Sequence, residues 1–167
     1  MKIKICGIFR EEDITYINEA KPDFAGFVFA QSRRQVSAAT AAGLRRLMAE
    51  GIIPVGVFVN APPEIIISLY RDRVISLAQL HGNESDEYII QLKEGSVCGN
   101  FPLPVPVIKT IKSDELERGA PLTAQADYIL IDSGAGSGKI FNWNLLRSQR
   151  FKIPWFLAGG ISLENID

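Results

Sequence analysis

The sequence is poor in cysteine and histidine and has no long hydrophobic run. Of its 167 residues two are cysteine and one is histidine, and none of the CxxC or Cys/His spacings typical of a zinc site occurs. No apolar run of about 18 residues suggests a transmembrane helix, and Lys2, Lys4 and Arg10 argue against a signal peptide. A net charge of −1 gives no overall basic field for nucleic acid or an anionic membrane. We therefore expect a cytoplasmic protein with no metal, nucleic-acid or membrane partner.

What the sequence does contain is a regular alternation of short apolar runs and amphipathic segments. The apolar runs are rich in Val, Ile and Phe, which is typical of strands buried on both faces of a parallel sheet. The predicted strands are Lys2–Cys6, Phe24–Phe29, Ile53–Val59, Ser76–Leu80, Val105–Lys109, Tyr128–Asp132 and Trp155–Leu157. Capping residues and prolines predict helices after Ser37, over Glu64–Asp72, after Asn83 or Ser85, and from Ser113.

Seven strands separated by helices fit either an open doubly wound sheet or a (β/α)₈ barrel. The dinucleotide fingerprint G-x-G-x-x-G of the open sheet is absent after the first strand. Each strand instead ends in its own polar or glycine-containing segment, which favours a barrel whose strand ends face one site. Such barrels need at least about 200 residues. The 167 residues are therefore too few for a complete barrel, so either the eighth unit is missing or the barrel interpretation is wrong. We favour an α/β fold, a (β/α)₈ TIM barrel truncated after strand 7, forming one C-terminally incomplete domain over residues 1–167.

Reactive or charged side chains follow several of the predicted strands. Cys6 lies where the first strand meets Gly7, and a thiol there is a candidate base or nucleophile. The alternative is a small buried hydrophobic residue, as most free cysteines are. Arg34 follows the second strand and is either a binding group for carboxylate or phosphate or part of a solvated basic loop. His81 follows the fourth strand and is either active-site lining or a structural hydrogen-bonding group.

The sixth and seventh strands end in a carboxylate and a glycine pair. Asp132 is followed by the glycine-rich segment Ser133–Lys139, which fails the Walker pattern because Ile140 replaces the required Ser or Thr; it suits a mobile lid better. The pair Gly159-Gly160 precedes a predicted helix and fits either phosphate binding or a tight turn. If all strand ends share one barrel mouth, these groups predict a site for a small phosphorylated molecule.

Taken in order, these motifs resemble those of the phosphoribosylanthranilate isomerase family of tryptophan biosynthesis. The resemblance covers nearly the whole chain and rests on the following segments: Lys4-Ile5-Cys6-Gly7, Gly26-Phe27-Val28-Phe29, Ser32-Arg33-Arg34, Val55-Gly56-Val57-Phe58-Val59-Asn60, Gln79-Leu80-His81-Gly82, Gly136-Ser137-Gly138-Lys139 and Leu157-Ala158-Gly159-Gly160. It implies a barrel isomerase with no metal or organic cofactor. The implied reaction is the Amadori rearrangement of N-(5-phosphoribosyl)anthranilate to 1-(2-carboxyphenylamino)-1-deoxyribulose 5-phosphate. We expect a monomer or a homodimer.

The resemblance also implies a role for each matched residue. Asp132 is the implied general acid, which protonates the furanose ring oxygen so that the ring opens. Cys6 is the implied general base, which removes the proton from C2. Arg34 is expected to bind the anthranilate carboxylate.

The remaining matched residues are expected to contact the substrate. His81 would line the site, Gly159 and Gly160 would bind the phosphate, and the loop around Gly138 would close over the ligand. The chain departs from the family in having Phe141-Asn142-Trp143 where Phe-Asp-Trp is usual, a change of little expected effect because asparagine caps a helix as well as aspartate. A larger departure is the absence of the eighth βα unit, which in the family completes the phosphate site. We therefore expect the written chain to be a truncated or proteolysed product, unless a second segment completes the barrel.

Two other functions stay open. The related histidine-pathway aminoaldose isomerases are similar barrels, but they tend to have a carboxylate where Cys6 stands. A barrel fragment that binds phosphate ligands, or that self-associates through an open sheet edge, without turnover is the non-enzymatic alternative. The sequence assigns no role to Cys98.

Overall fold

Parallel strands alternate with helices along the residues that the computed structural model describes, which are 1–94, 104–119, 125–134, 151–159 and 161. The chain divides into two compact units, Met1–Val107 and Ile108–Asp167. The predicted α/β alternation is confirmed at each of the seven predicted strands. That residues 1–167 form a single domain stays a prediction.

The first unit contains four parallel strands, each followed by a helix. Its elements are β1 (Lys4–Cys6), α1 (Glu11–Ala20), β2 (Phe24–Val28), α2 (Ala38–Leu47), β3 (Ile53–Phe58), α3 (Pro63–Arg71), β4 (Leu77–Leu80) and α4 (Asp86–Glu94). The strands pair in chain order, with Gly26 opposite both Cys6 and Val55, and Val55 opposite Leu77. The largest fully buried side chains of this unit are Ile17, Phe24, Phe27, Phe58, Ile66, Ile75, Leu80, Ile89 and Leu92.

Three further parallel strands follow, with a short helix after the first of them. These elements are β5 (Val107–Lys112), α5 (Ser113–Glu117), β6 (Tyr128–Asp132) and β7 (Trp155–Ala158). Asp132 lies opposite Lys112 on β5 and Ala158 on β7, so these strands are in register at their carboxyl ends. The buried cluster in this unit comprises Ile111, Leu116, Ile129 and Ile131, with Phe151, Ile153 and Leu157 packed against it.

Two of the predicted helix caps are confirmed by hydrogen bonds. The Ser37 hydroxyl accepts from the backbone N–H of Thr40 at 3.0 Å and begins α2. Of the two candidates for the start of α4, Ser85 is the cap, because its hydroxyl accepts from the backbone N–H of Tyr88 at 3.3 Å. A serine hydroxyl thereby satisfies an N–H group that has no partner inside the helix.

Helix α1 was not predicted, because it lacks the usual capping residue. The N-cap is Arg10, whose side chain makes no capping hydrogen bond. Asp13, inside the first turn, reaches back instead and accepts from the backbone N–H of Phe9 at 3.1 Å and from Arg10 Nε at 3.0 Å. Partial burial alone would raise the pKa of Asp13, but these hydrogen bonds outweigh it and lower the pKa below 3.8. Across the described residues, no helix is long and apolar enough to cross a membrane.

Candidate active site

Cys6 ends β1 at a turn that exposes its side chain. The backbone N–H groups of Gly7 and Ile8 both donate to the carbonyl oxygen of Gly26 on β2, at 2.9 and 3.0 Å. The chain bends at Gly7, whose φ of +91° lies in the region that favours glycine. The Cys6 side chain is exposed, so the alternative of a small buried hydrophobic residue is wrong, and the thiol is open to a ligand.

Arg34 lies directly against this turn, as expected of a residue in the same site. Its Nη1 donates to the carbonyl oxygen of Cys6 at 3.0 Å. The guanidinium takes the place that a side chain at Gly7 would need, because a Cβ there would lie 2.5 Å from Nη1. Among the described residues this is the one hydrogen bond the guanidinium makes, and since arginine has five N–H donors, the others can bind a carboxylate or phosphate.

The loop that carries Arg34 is held by backbone contacts to the end of β2. The backbone N–H of Val36 donates to the carbonyl oxygen of Val28 at 2.9 Å. The Gln35 side-chain amide donates to the carbonyl oxygen of Phe29 at 3.0 Å, and the Ser32 hydroxyl accepts from the backbone N–H of Arg34 at 3.2 Å. These bonds place the arginine at the carboxyl ends of β1 and β2, as the sequence predicted.

His81 follows β4, and its backbone is joined to the end of β3. Its N–H donates to the carbonyl oxygen of Phe58 at 2.8 Å. The Gln79 amide Nε2 lies 3.1 Å from His81 Nδ1. The imidazole is thereby oriented at a strand end, which fits either the predicted lining role or a structural role.

Glu84, which sequence reasoning missed, connects two loops at the carboxyl ends of the strands. It is only 8% exposed, and its carboxylate accepts from the backbone N–H of Asn60 at 2.7 Å and of Gly82 at 3.0 Å. The Asn60 side chain accepts in turn from the backbone N–H of Asn83 at 2.9 Å. The loops after β3 and β4 are therefore joined by a buried carboxylate.

Tyr88 adds a further connection beside this carboxylate. Its hydroxyl donates to the carbonyl oxygen of Ala61 at 2.7 Å, which joins α4 to the loop after β3. Burial, with Glu84 and then Glu64 as smaller causes, raises the pKa of Tyr88 to about 12. The phenol therefore stays protonated, and remains a hydrogen-bond donor, throughout the physiological range.

In the second unit, Asp132 ends β6 with a fixed carboxylate. Its Oδ1 accepts from the backbone N–H of Gly134 at 2.9 Å. The next residue continues the pairing with β7, because the Ser133 N–H donates to the carbonyl oxygen of Ala158 at 3.1 Å. The carboxylate is thus held at the carboxyl end of two paired strands, where the sequence predicted an acid.

Gly159 lies against this carboxylate and has no room for a side chain. Its φ is +81°, and a Cβ there would overlap the Ser133 hydroxyl and lie 2.8 Å from Asp132 Oδ1. Ser133, which sequence reasoning also missed, is 8% exposed, and within the described part of the chain its buried Oγ has no hydrogen-bond partner. The structure therefore brings Asp132 and Gly159 together, as predicted. Gly138, Gly160 and Cys98 lie outside the described residues.

The described residues contain no group of three or more His, Cys, Asp or Glu side chains placed to hold a metal ion. The chemistry available at these strand ends is that of a thiol, a carboxylate, a guanidinium and an imidazole. In the first unit Cys6 lies beside Arg34, and in the second Asp132 lies beside Gly159. A thiol and a carboxylate are suited to proton transfer, and a guanidinium and a glycine turn are suited to anion binding.

Comparison with known proteins gives consistent matches. Residues 3–167 match a family model described as N-(5'-phosphoribosyl)anthranilate isomerase. A protein of that name from Endomicrobium trichonymphae is 44% identical over 171 residues, which cover 99% of this chain and 80% of the relative. The crystal structure of phosphoribosyl anthranilate isomerase from Thermotoga maritima is 30% identical, with a TM-score of 0.79, over 99% of this chain and 80% of that one.

A further structural match is a phosphoribosyl anthranilate isomerase in complex with reduced 1-(o-carboxyphenylamino)-1-deoxyribulose 5-phosphate. It is 29% identical, has a TM-score of 0.77, and is matched over 99% of this chain and 78% of that one. These structural matches confirm the predicted fold class, an α/β fold of the (β/α)₈ barrel type.

Proposed function

The chain belongs to the phosphoribosylanthranilate isomerase family, and we propose that it isomerises N-(5'-phosphoribosyl)anthranilate to 1-(o-carboxyphenylamino)-1-deoxyribulose 5-phosphate, a step of tryptophan biosynthesis. One observation carries the proposal: the family match extends over residues 3–167, and it includes a thiol and a carboxylate that each lie at the carboxyl end of a parallel strand. Carboxyl strand ends are where barrel enzymes place their catalytic groups.

Asp132 supplies the proton that opens the ribose ring. In this role the Asp132 carboxyl, held by the hydrogen bond that its Oδ1 accepts from the N–H of Gly134, carries the proton to be transferred. Transfer of that proton to the furanose oxygen breaks the bond between this oxygen and C1, while the lone pair of the anthranilate nitrogen forms the C1=N bond of an iminium ion. The carboxyl loses one proton, and the ring oxygen becomes a hydroxyl group.

Cys6 then acts as the base. Its thiolate removes the proton from C2, and the electron pair of that C–H bond forms the C1=C2 bond as the iminium nitrogen is neutralised. The resulting enolamine gains a proton at C1 and loses the proton of its 2-hydroxyl group, which gives the ketone. Substrate and product are isomers, so no oxidant or reductant is consumed. An exposed thiol at a strand end is accessible for this role.

The anionic groups of the substrate match the binding groups at the strand ends. Arg34 binds the anthranilate carboxylate through the guanidinium donors that the Cys6 carbonyl leaves available. Gly159 and Gly160 bind the phosphate. Gly159, which has no side chain, allows the phosphate to approach the backbone beside Asp132. His81 lines the site, and the loop around Gly138 closes over it. A cytoplasmic location and a monomeric or homodimeric state stay predictions.

The proposal is tested by adding the purified chain to freshly formed phosphoribosylanthranilate and following the loss of the fluorescence of this anthranilate adduct. We expect enzyme-dependent loss, with a product of unchanged mass in H₂O. In D₂O the product should carry deuterium at C1, because the proton added there comes from exchangeable groups. A folded chain that produces no ketose from this substrate would contradict the proposal.

A further inference from the structure

Lys4 is a half-buried cation on the same face of β1 as Cys6, because side chains two positions apart on a strand point the same way. Both side chains reach the space beside Gly26. A Cβ at Gly26 would lie 2.8 Å from Cys6 Sγ and 3.2 Å from Lys4 Nζ. Two atoms this close to one point are at most about 6 Å apart, which is within the range where a charge favours ionisation of its neighbour.

Among the residues that the structure describes, no hydrogen-bonding or ionic partner explains the position of the Lys4 ammonium. Lys2, two residues earlier, lies instead over the ring of Phe24 at 5.8 Å. An ammonium group that loses part of its hydration without a compensating anion is unfavourable. The position of the Lys4 ammonium is therefore better explained by a negative charge that forms on the neighbouring Cys6 sulfur.

We propose that Lys4 is a positioning residue of the reaction, whose ammonium stabilises the thiolate of Cys6, the form that removes the C2 proton. The inference rests on the proposed function and assigns a role to a residue that acts through another. Cations beside a cysteine favour its thiolate. Arg34 is the other cation at this strand end, and its Nη1 is bonded to the backbone oxygen of Cys6. The Lys4 ammonium instead lies on the side of the Cys6 sulfur, and both groups are next to Gly26.

The size of the effect follows from the distance and the exposure. At about 6 Å and the high effective dielectric constant near an exposed side chain, Coulomb's law gives an attraction between an ammonium and a thiolate that corresponds to a roughly 3- to 10-fold faster reaction of the sulfur. The effect should weaken in salt, because at 1 M ionic strength exposed charges are screened over about 3 Å. Gly26 is part of the arrangement, because any side chain there would separate the two groups.

The test measures Cys6 reactivity directly, without turnover. Alkylation by iodoacetamide at pH 7 is followed by peptide mapping, which separates Cys6 from Cys98. Lys4→Met should slow the alkylation of Cys6 by roughly 3- to 10-fold, whereas Lys4→Arg should keep most of the rate. Lys2→Met is the matched control, since it removes a cation from the same segment but away from the sulfur, and it should leave the rate unchanged.

Turnover and salt dependence complete the test. Lys4→Met should lower kcat more than it changes KM and shift the rising limb of the pH–rate profile to higher pH. In the unchanged protein, alkylation of Cys6 should slow in 1 M NaCl, whereas that of glutathione should not; this comparison holds even if a variant fails to fold. Equal alkylation rates for Lys4→Met and wild type, or no salt effect on Cys6, would overturn the inference. Absence of wild-type turnover with slowed alkylation in Lys4→Met would refute the proposed function alone.

Discussion

Replacing Gly7 with alanine tests how the backbone at the end of β1 supports substrate binding. Two separate effects are expected. The φ of +91° at Gly7 is unfavourable for alanine and should cost about 1–3 kcal/mol of folding free energy. The new Cβ would also lie 2.5 Å from Arg34 Nη1 and 2.6 Å from its Cζ, so the guanidinium must move from its place beside Cys6.

Gly51 provides a matched control for the first effect. Its φ is +92°, but a Cβ there would meet no atom within 4 Å. Gly51→Ala should therefore lower the free energy of unfolding by a similar amount, about 1–3 kcal/mol, without moving Arg34. The difference between the two variants isolates the displacement of the arginine from the strain of the backbone.

The displacement should be visible in catalysis. A hydrogen bond to a charged group contributes about 1.5–3 kcal/mol, so loss of the Arg34 contact to the substrate carboxylate should lower kcat/KM roughly 10- to 100-fold in Gly7→Ala, mainly through KM. Urea unfolding and the fluorescence assay measure the two effects. If folded Gly7→Ala kept the kcat/KM of wild type and of Gly51→Ala, our account of Arg34 would be refuted.

Two further predictions concern stability. Asp13→Ala should lower the free energy of unfolding by about 1 kcal/mol at pH 7. Because the pKa of Asp13 is lowered in the folded protein, this difference should be present above pH 3.8 and disappear as the pH falls through the folded pKa. A difference in urea unfolding that does not depend on pH would contradict this. Ser133→Ala removes a buried hydroxyl without a partner in the described residues and should raise the free energy of unfolding by about 1 kcal/mol. Ser37→Ala removes a hydroxyl that caps a helix and should lower the free energy of unfolding by about 1 kcal/mol. A change of the same sign in both variants would refute the reasoning.

The strands were predictable because each is a short apolar run with a clear end. Strand β6 has the predicted bounds, Tyr128–Asp132. Strand β5 was predicted over Val105–Lys109 but spans Val107–Lys112. Pro106 has no N–H to donate to a neighbouring strand, and pairing with β6 extends the strand over Ile111 and Lys112. Pairing with a neighbouring strand, rather than local composition, therefore set the end of β5.

The parts of the site that were missed depend on contacts between distant residues. Glu84 bonds to the backbone of Asn60, 24 positions earlier, and the surroundings of Ser133 include Gly159, which directly follows β7. No local pattern signals either contact. Lys4 is different, because its position two residues before Cys6 places both on one face of a strand. That relation could have been found from the sequence alone.

The most direct test of the central claim compares isomerisation rates of wild type, Cys6→Ala and Asp132→Asn. General acid and general base catalysis each contribute about 10²–10⁴-fold, so each variant should be slower by at least about 100-fold while its circular dichroism stays that of the folded protein. Cys98→Ala, which removes the other thiol of the chain, should keep the wild-type rate. Folded Cys6→Ala or Asp132→Asn with the rate of wild type would contradict the account.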